Sequence, residues 1–143
     1  MSTLNLPVDC CSGQRCFSVF SCFERGLITR RRPPLAVQGE SIALGSLWAA
    51  FSMSLGQHGR MVLRFQSAHC TTLIACCQAL AELYCGAPRQ ALQALSRDEL
   101  LRSLLAQLRD LPASRHDRAL LAVCAFKSAL YASDYQSQGE VAS

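Results

Sequence analysis

Two pairs of side chains in this sequence could do chemistry: His69-Cys70 and His116-Asp117. A thiolate, a neutral imidazole and a carboxylate are each acceptable ligands for zinc or iron. Cys70 could also attack an electrophile or carry sulfur, provided something favours its thiolate. The residues around it supply a reason. Leu63, Phe65 and Ser67 alternate with Arg64 and Gln66, as a half-buried strand should. From His69-Cys70-Thr71-Thr72 onward, Leu73, Cys76/Cys77, Leu80 and Leu83/Tyr84 recur at helical three- and four-residue steps. Cys70 is therefore expected where a strand hands over to the first turn of a helix. Unpaired backbone N–H groups and the positive end of the helix dipole favour a thiolate there.

His116 and Asp117 belong to a second expected helix start, Ser114-Arg-His-Asp117, a cap-like serine with an acid three residues on. A site assembled from two helix starts would present its ligands at dipole ends that stabilise anions. Spacing alone leaves a plainer reading open, with Asp117 as a cap acid, His116 as an exposed first-turn residue and Cys70 as a buried small residue.

The elements that must position these groups can be read in order. Residues 1–13 are expected to be a flexible tail, residues 14–132 a single domain, and residues 133–143 a second flexible tail. Gly13 to Glu24 suggests a short amphipathic helix with Phe17, Phe20 and Phe23 on one side. Arg30 to Gly45, rich in Pro and Gly, reads as a solvated connector. Leu47, Ala49, Phe51, Met53 and Leu55 share one face of a strand, and Gly56-Gln-His-Gly59 turns it into an antiparallel hairpin with Arg60–Ser67. The helix after Cys70 meets a C′ glycine at Gly86 and then Pro88. The next opens with a capping box, Ser96-Arg-Asp-Glu99, and stops at Leu111-Pro112. The last runs from Ser114 to about Ala132. Strands first and helices afterwards predict an α+β fold, a small antiparallel sheet with helices packed on one face.

Composition limits the options. The chain has 143 residues and is half apolar, enough for one core without disulfides. No run reaches the roughly 18 apolar residues of a membrane span, and the N-terminus lacks the pattern of a signal peptide, so a soluble cytoplasmic protein is expected. The net charge of +4 is mild, and the only basic run, Arg30-Arg31-Arg32, is too little for a nucleic-acid surface. The nine cysteines include the adjacent pairs Cys10-Cys11 and Cys76-Cys77. Without a secretion signal they read as reduced thiols, with Cys76 and Cys77 as core residues. Cys10, Cys11, Cys16 and Cys22 match no zinc spacing.

The order of these features resembles the NifU/IscU-type iron–sulfur cluster assembly scaffold domain. The residues that carry the resemblance are Arg64-Phe65, Cys70, Ile74-Ala75, Ala79-Leu80, Glu82, Gly86, Leu111-Pro112, His116, Leu121 and Ala129. It covers roughly Gly45 to Ala132. It implies a scaffold in which three cysteines, an aspartate and a histidine hold a nascent cluster or zinc. A cysteine desulfurase supplies sulfur to it, and cluster-acceptor proteins receive the product. By this resemblance Cys70 stands at the central ligand cysteine and His116 at the ligand histidine, with Asp117 in place of the following cysteine. Leu44-Gly45-Ser46 replaces the family's Cys-Gly-Asp, so two of the three ligand cysteines are exchanged.

Three functions follow as expectations. The first is an accessory protein of iron–sulfur cluster assembly that binds an iron–sulfur cluster, iron or zinc through Cys70, His116 and Asp117, with His69 as a further ligand. The second is a scaffold relative that binds no cluster and only docks partners. The third is a sulfur carrier with a persulfide on Cys70. No enzyme activity is expected, because a Cys70–His116 pair comes with no sign of a substrate pocket.

Overall fold

The computed structural model describes residues 17–56 and 59–142, with 134–142 as backbone only. The expected tail 1–13, Cys16 and the middle of the Gly56–Gly59 loop lie outside these residues. A first helix, α1 (Val19–Thr29), precedes four strands: β1 (Val37–Gln38), β2 (Ile42–Leu44), β3 (Leu47–Leu55) and β4 (Met61–Ser67). Helices α2 (Thr71–Tyr84), α3 (Arg89–Gln93), α4 (Arg97–Gln107) and α5 (His116–Ala142) follow. The fold is α+β, as expected.

β3 is the centre of the antiparallel sheet. One of its edges pairs with β4, with Phe51 opposite Phe65 and Met53 opposite Leu63. Its other edge is shared by two short strands, β1 opposite Ser52 and Met53 and β2 opposite Leu47 to Ala49. These two strands fall in the stretch expected to be a connector. They lack the alternating run that marks a strand, and pairing along the already ordered β3 edge is what forms them.

Alternation along β3 and β4 puts Ala49, Phe51, Met53, Met61, Leu63 and Phe65 into the core. Helices α2 and α5 cover that face. Phe126 of α5 meets Phe51 edge-on at 5.3 Å between ring centroids, and Tyr84 of α2 stacks on Phe126 at 5.8 Å. The opposite face is crossed by the connector. Leu35 N–H donates to Ser52 Oγ (2.9 Å), and Arg64 and Gln66 donate to the Pro33 and Arg32 carbonyls. The Arg30–Leu35 segment is thus strapped to the sheet, although Arg31 and Arg32 remain exposed.

Helix α1 packs on α2, but not by its phenylalanines alone. Cys22 and Gly26 are buried and Phe20 is 66% exposed. Gly26 allows the close approach, since a Cβ there would stand 2.6 Å from Ile74 Cγ2. Across this contact Arg25 grips the buried Glu82 through both carboxylate oxygens, and Gln78 Nε2 donates to Glu82 Oε2 (2.7 Å).

The capping box at Ser96 and Glu99 forms as expected. Gly86 adopts φ +82° just after α2, and its N–H bonds Met61 O on β4, tying the helix end to the sheet. Two expectations are corrected in the last helix. A 3-10 turn over Ala113–Arg115 precedes it, with Pro112 at its start, so Ser114 is not the cap. Helix α5 also continues to Ala142, past its expected end at about Ala132. Ser133, buried, bonds Leu130 O and accepts Arg89 at its own carbonyl, which carries the helix into its polar extension. No helix of the described residues is long and apolar enough to cross a membrane.

Candidate functional site

Strand β4 ends at Ser67, and its neighbour Ala68 still donates to Trp48 O. Two residues later Cys70 is the N-cap of α2, in extended backbone conformation (φ −138°, ψ 121°). The strand-to-helix junction is therefore where the sequence placed it. Cys70 is half-buried, and its sulfur lies 3.6 Å from Thr72 Oγ1. Burial pushes its thiol up. Hydrogen bonding to sulfur from the Leu73 N–H, the Thr72 hydroxyl, the Arg118 guanidinium and the Thr72 N–H outweighs that, and the thiol titrates below its ordinary range.

The group that comes to Cys70 from α5 is Arg118, not His116. Arg118 Nη1 donates to both oxygens of Asp117 at 2.8 Å. Hydrogen bonding to Asp117, then to Cys70, holds the guanidinium above its ordinary range. Asp117 is held below its own, chiefly by the same bond to Arg118. Thiol, guanidinium and carboxylate form a chain in which the cation stands between the two acids. His116 and His69 are both exposed.

The expected metal site was Cys70, His116 and Asp117, with His69 in support. The structure does not gather it. Among the described residues no three His, Cys, Asp or Glu side chains form a group able to hold a metal ion. A guanidinium beside the single thiolate opposes a further cation, and a cluster needs about four protein ligands. Among the described residues, this donor set does not by itself make up a site for an iron–sulfur cluster. Leu44, which the resemblance sets against a ligand cysteine, is 46% exposed on β2. Gly45 and Ser46 form the β2–β3 turn, with Gly45 at φ +62°.

The other thiols behave differently. Cys76 and Cys77 are fully buried, as expected of core residues. Burial, with the neighbouring Cys22 and Cys70, pushes Cys76 up to about 12, and burial pushes Cys77 well above its ordinary range. Neither supplies a thiolate near neutral pH. Cys70, Cys76, Cys77 and Cys124 are free thiols. Cys85 is disulfide-bonded, which corrects the expectation that all the thiols are reduced. It sits half-exposed at the C-cap of α2.

Arg118 was the residue that sequence reasoning missed, yet a signal was present. Ala122, Ala125 and Ala129 form the inward stripe of α5, and Arg118 falls one turn before it at the same helical phase. Reading that stripe backwards reaches Arg118 and passes over His116. Compared with known proteins, the chain matches no family model and no curated protein.

Proposed function

We propose that this chain is a cytoplasmic accessory protein of iron–sulfur cluster assembly that resembles a NifU/IscU-type scaffold and works through the Cys70 thiolate. Its partners on this reading are a cysteine desulfurase and cluster-acceptor proteins. The observation that carries the proposal is the position of Cys70 at a helix N-terminus, facing Arg118, with its thiol lowered. A thiolate so placed can attack the outer sulfur of a desulfurase persulfide. The donor's S–S bond breaks, its cysteine leaves as thiolate, and Cys70 keeps the sulfur as a persulfide. Arg118 offsets the negative charge before and after the transfer. The resemblance supplies the pathway, and the local chemistry supplies the role.

The test is incubation with a cysteine desulfurase and cysteine, followed by intact-mass measurement, with iron and sulfide analysis under anaerobic conditions. One added sulfur on Cys70, absent in Cys70→Ser, supports the carrier role. A second reading, docking of the same partners without chemistry, draws on the failure of Cys70, His116 and Asp117 to form a ligand group. It predicts a desulfurase complex that survives Cys70→Ser with no sulfur adduct in either protein. Binding of iron and sulfide in stoichiometric amount would overturn both and restore the cluster-binding reading.

A further inference from the structure

Away from Cys70, the β1–β2 edge of the sheet stands across from α4 and α5, and an open groove of about 1070 Å³ lies between them. That is slightly above the roughly 300–1,000 Å³ usual for small-ligand sites. Its strand wall carries Glu40 and Ile42, and its helix wall carries Arg97, Cys124, Lys127 and Tyr131. The walls are fixed to each other. Glu40 N–H donates to Ser128 Oγ at 2.8 Å, and Gly39 lies so close to α5 that a Cβ there would stand 2.5 Å from Ala129 N. Cys124 is a free, half-buried thiol, and Arg97 Nη1 points to its sulfur at 3.7 Å. Lys127 donates to Leu95 O (2.8 Å) and lies 5.9 Å from the centre of the Tyr131 ring. The groove thus holds two cations, one carboxylate and one thiol, beside the Tyr131 ring and the Ile42 side chain.

We infer that this groove is an S-thiolation site, in which Cys124 forms a mixed disulfide with a small peptide thiol bearing two carboxylates and one ammonium group. Arg97 and Lys127 take the carboxylates, Glu40 takes the ammonium, and Tyr131 and Ile42 cover the peptide's apolar stem. The ligand arrives as its symmetric disulfide. The Cys124 thiolate attacks one sulfur of it, the S–S bond breaks, and the second peptide leaves as thiolate with the electron pair. The disulfide is the oxidant, and no other is needed. Arg97 stands beside the attacking sulfur and accompanies its charge.

The experiment uses the full chain as purified, carrying Cys70→Ser so that the lowered thiol does not compete. It is incubated with glutathione disulfide or with neutral 2-hydroxyethyl disulfide, and adducts are located by peptide mass mapping. The expected result is modification of Cys124 with a preference for the charged peptide. In Arg97→Ala/Lys127→Ala that preference falls by about tenfold, as expected for loss of local electrostatic attraction. No adduct at Cys124, an equal rate with the neutral disulfide, or an unchanged preference in the double variant would each overturn the inference. Cys70 takes no part, so failure here leaves the proposed sulfur-carrier role untouched.

Discussion

The Arg118 guanidinium lies beside the Cys70 thiol and donates to both oxygens of the Asp117 carboxylate. Two helix N-termini meet there, one supplying the sulfur and the other the cation. The consequences for reactivity and stability can be measured.

Removing the cation should raise the Cys70 pKa. In Arg118→Ala the alkylation rate of Cys70 at neutral pH should fall several-fold, and the midpoint of its pH profile should move upward. Mass-resolved alkylation across pH measures this. If the midpoint stays put, the backbone N–H groups of α2 alone hold the thiolate.

The same shift links to folding. Cys70 is lowered in the folded chain, so its ionisation stabilises the fold fully above the unfolded-chain value. That contribution is lost as pH falls through the folded value, where both states carry a neutral thiol. Wild-type stability should therefore rise between the two values relative to Cys70→Ser. Denaturant titrations across pH test this, and parallel curves would refute it.

Glu82 is a buried carboxylate whose partners, Arg25 and Gln78, bind α1 to α2. Breaking such a pair from one side leaves an uncompensated charge, so Glu82→Ala should cost about 3–5 kcal/mol. Replacing Arg25 and Glu82 together by Met and Leu should cost much less. Urea midpoints decide, and equal losses would argue against the ion pair as the cause.

Two glycines give a sharp contrast. At Gly39 an added Cβ meets backbone, 2.5 Å from Ala129 N and 2.7 Å from its Cα. Gly39→Ala should destabilise by about 1–3 kcal/mol. At Gly26 the nearest atom is the Ile74 Cγ2 methyl, at 2.6 Å, and a helical Ala regains about 1 kcal/mol of propensity. Thermal unfolding should show Gly39→Ala as the worse variant, and the reverse order would contradict this packing.

Asp110 secures the start of α1 from the far end of the chain, accepting the Val19 N–H at 3.1 Å on each oxygen. Asp110→Ala should cost about 1 kcal/mol, as loss of a helix cap does. Hydrogen exchange should quicken in α1 while α2 stays protected. Uniform change across both helices would mean a global effect instead.

Much of this was legible in the amino-acid sequence. Alternation named the inward faces of β3 and β4, helical spacing found α2, and the Ser96–Glu99 box fixed the start of α4. Those signals are local, because strand pleat, helical pitch and cap chemistry each act within a few residues. The placement of Cys70 at the β4–α2 junction is local in the same way. β1, β2 and the strapped connector were not legible, since they exist only by pairing with a sheet formed elsewhere in the chain. Nor was the partner of Cys70. Sequence reasoning chose His116 and Asp117 and passed over Arg118, whose one signal is its helical phase with the alanine stripe of α5. The 3-10 turn before α5 and the burial of Ala122, Ala125 and Ala129 decided that Arg118 faces the thiol. The sequence by itself determined which sulfur sits at a helix start. Only the tertiary packing of α5 on that start decided that it meets a cation in place of a set of metal ligands.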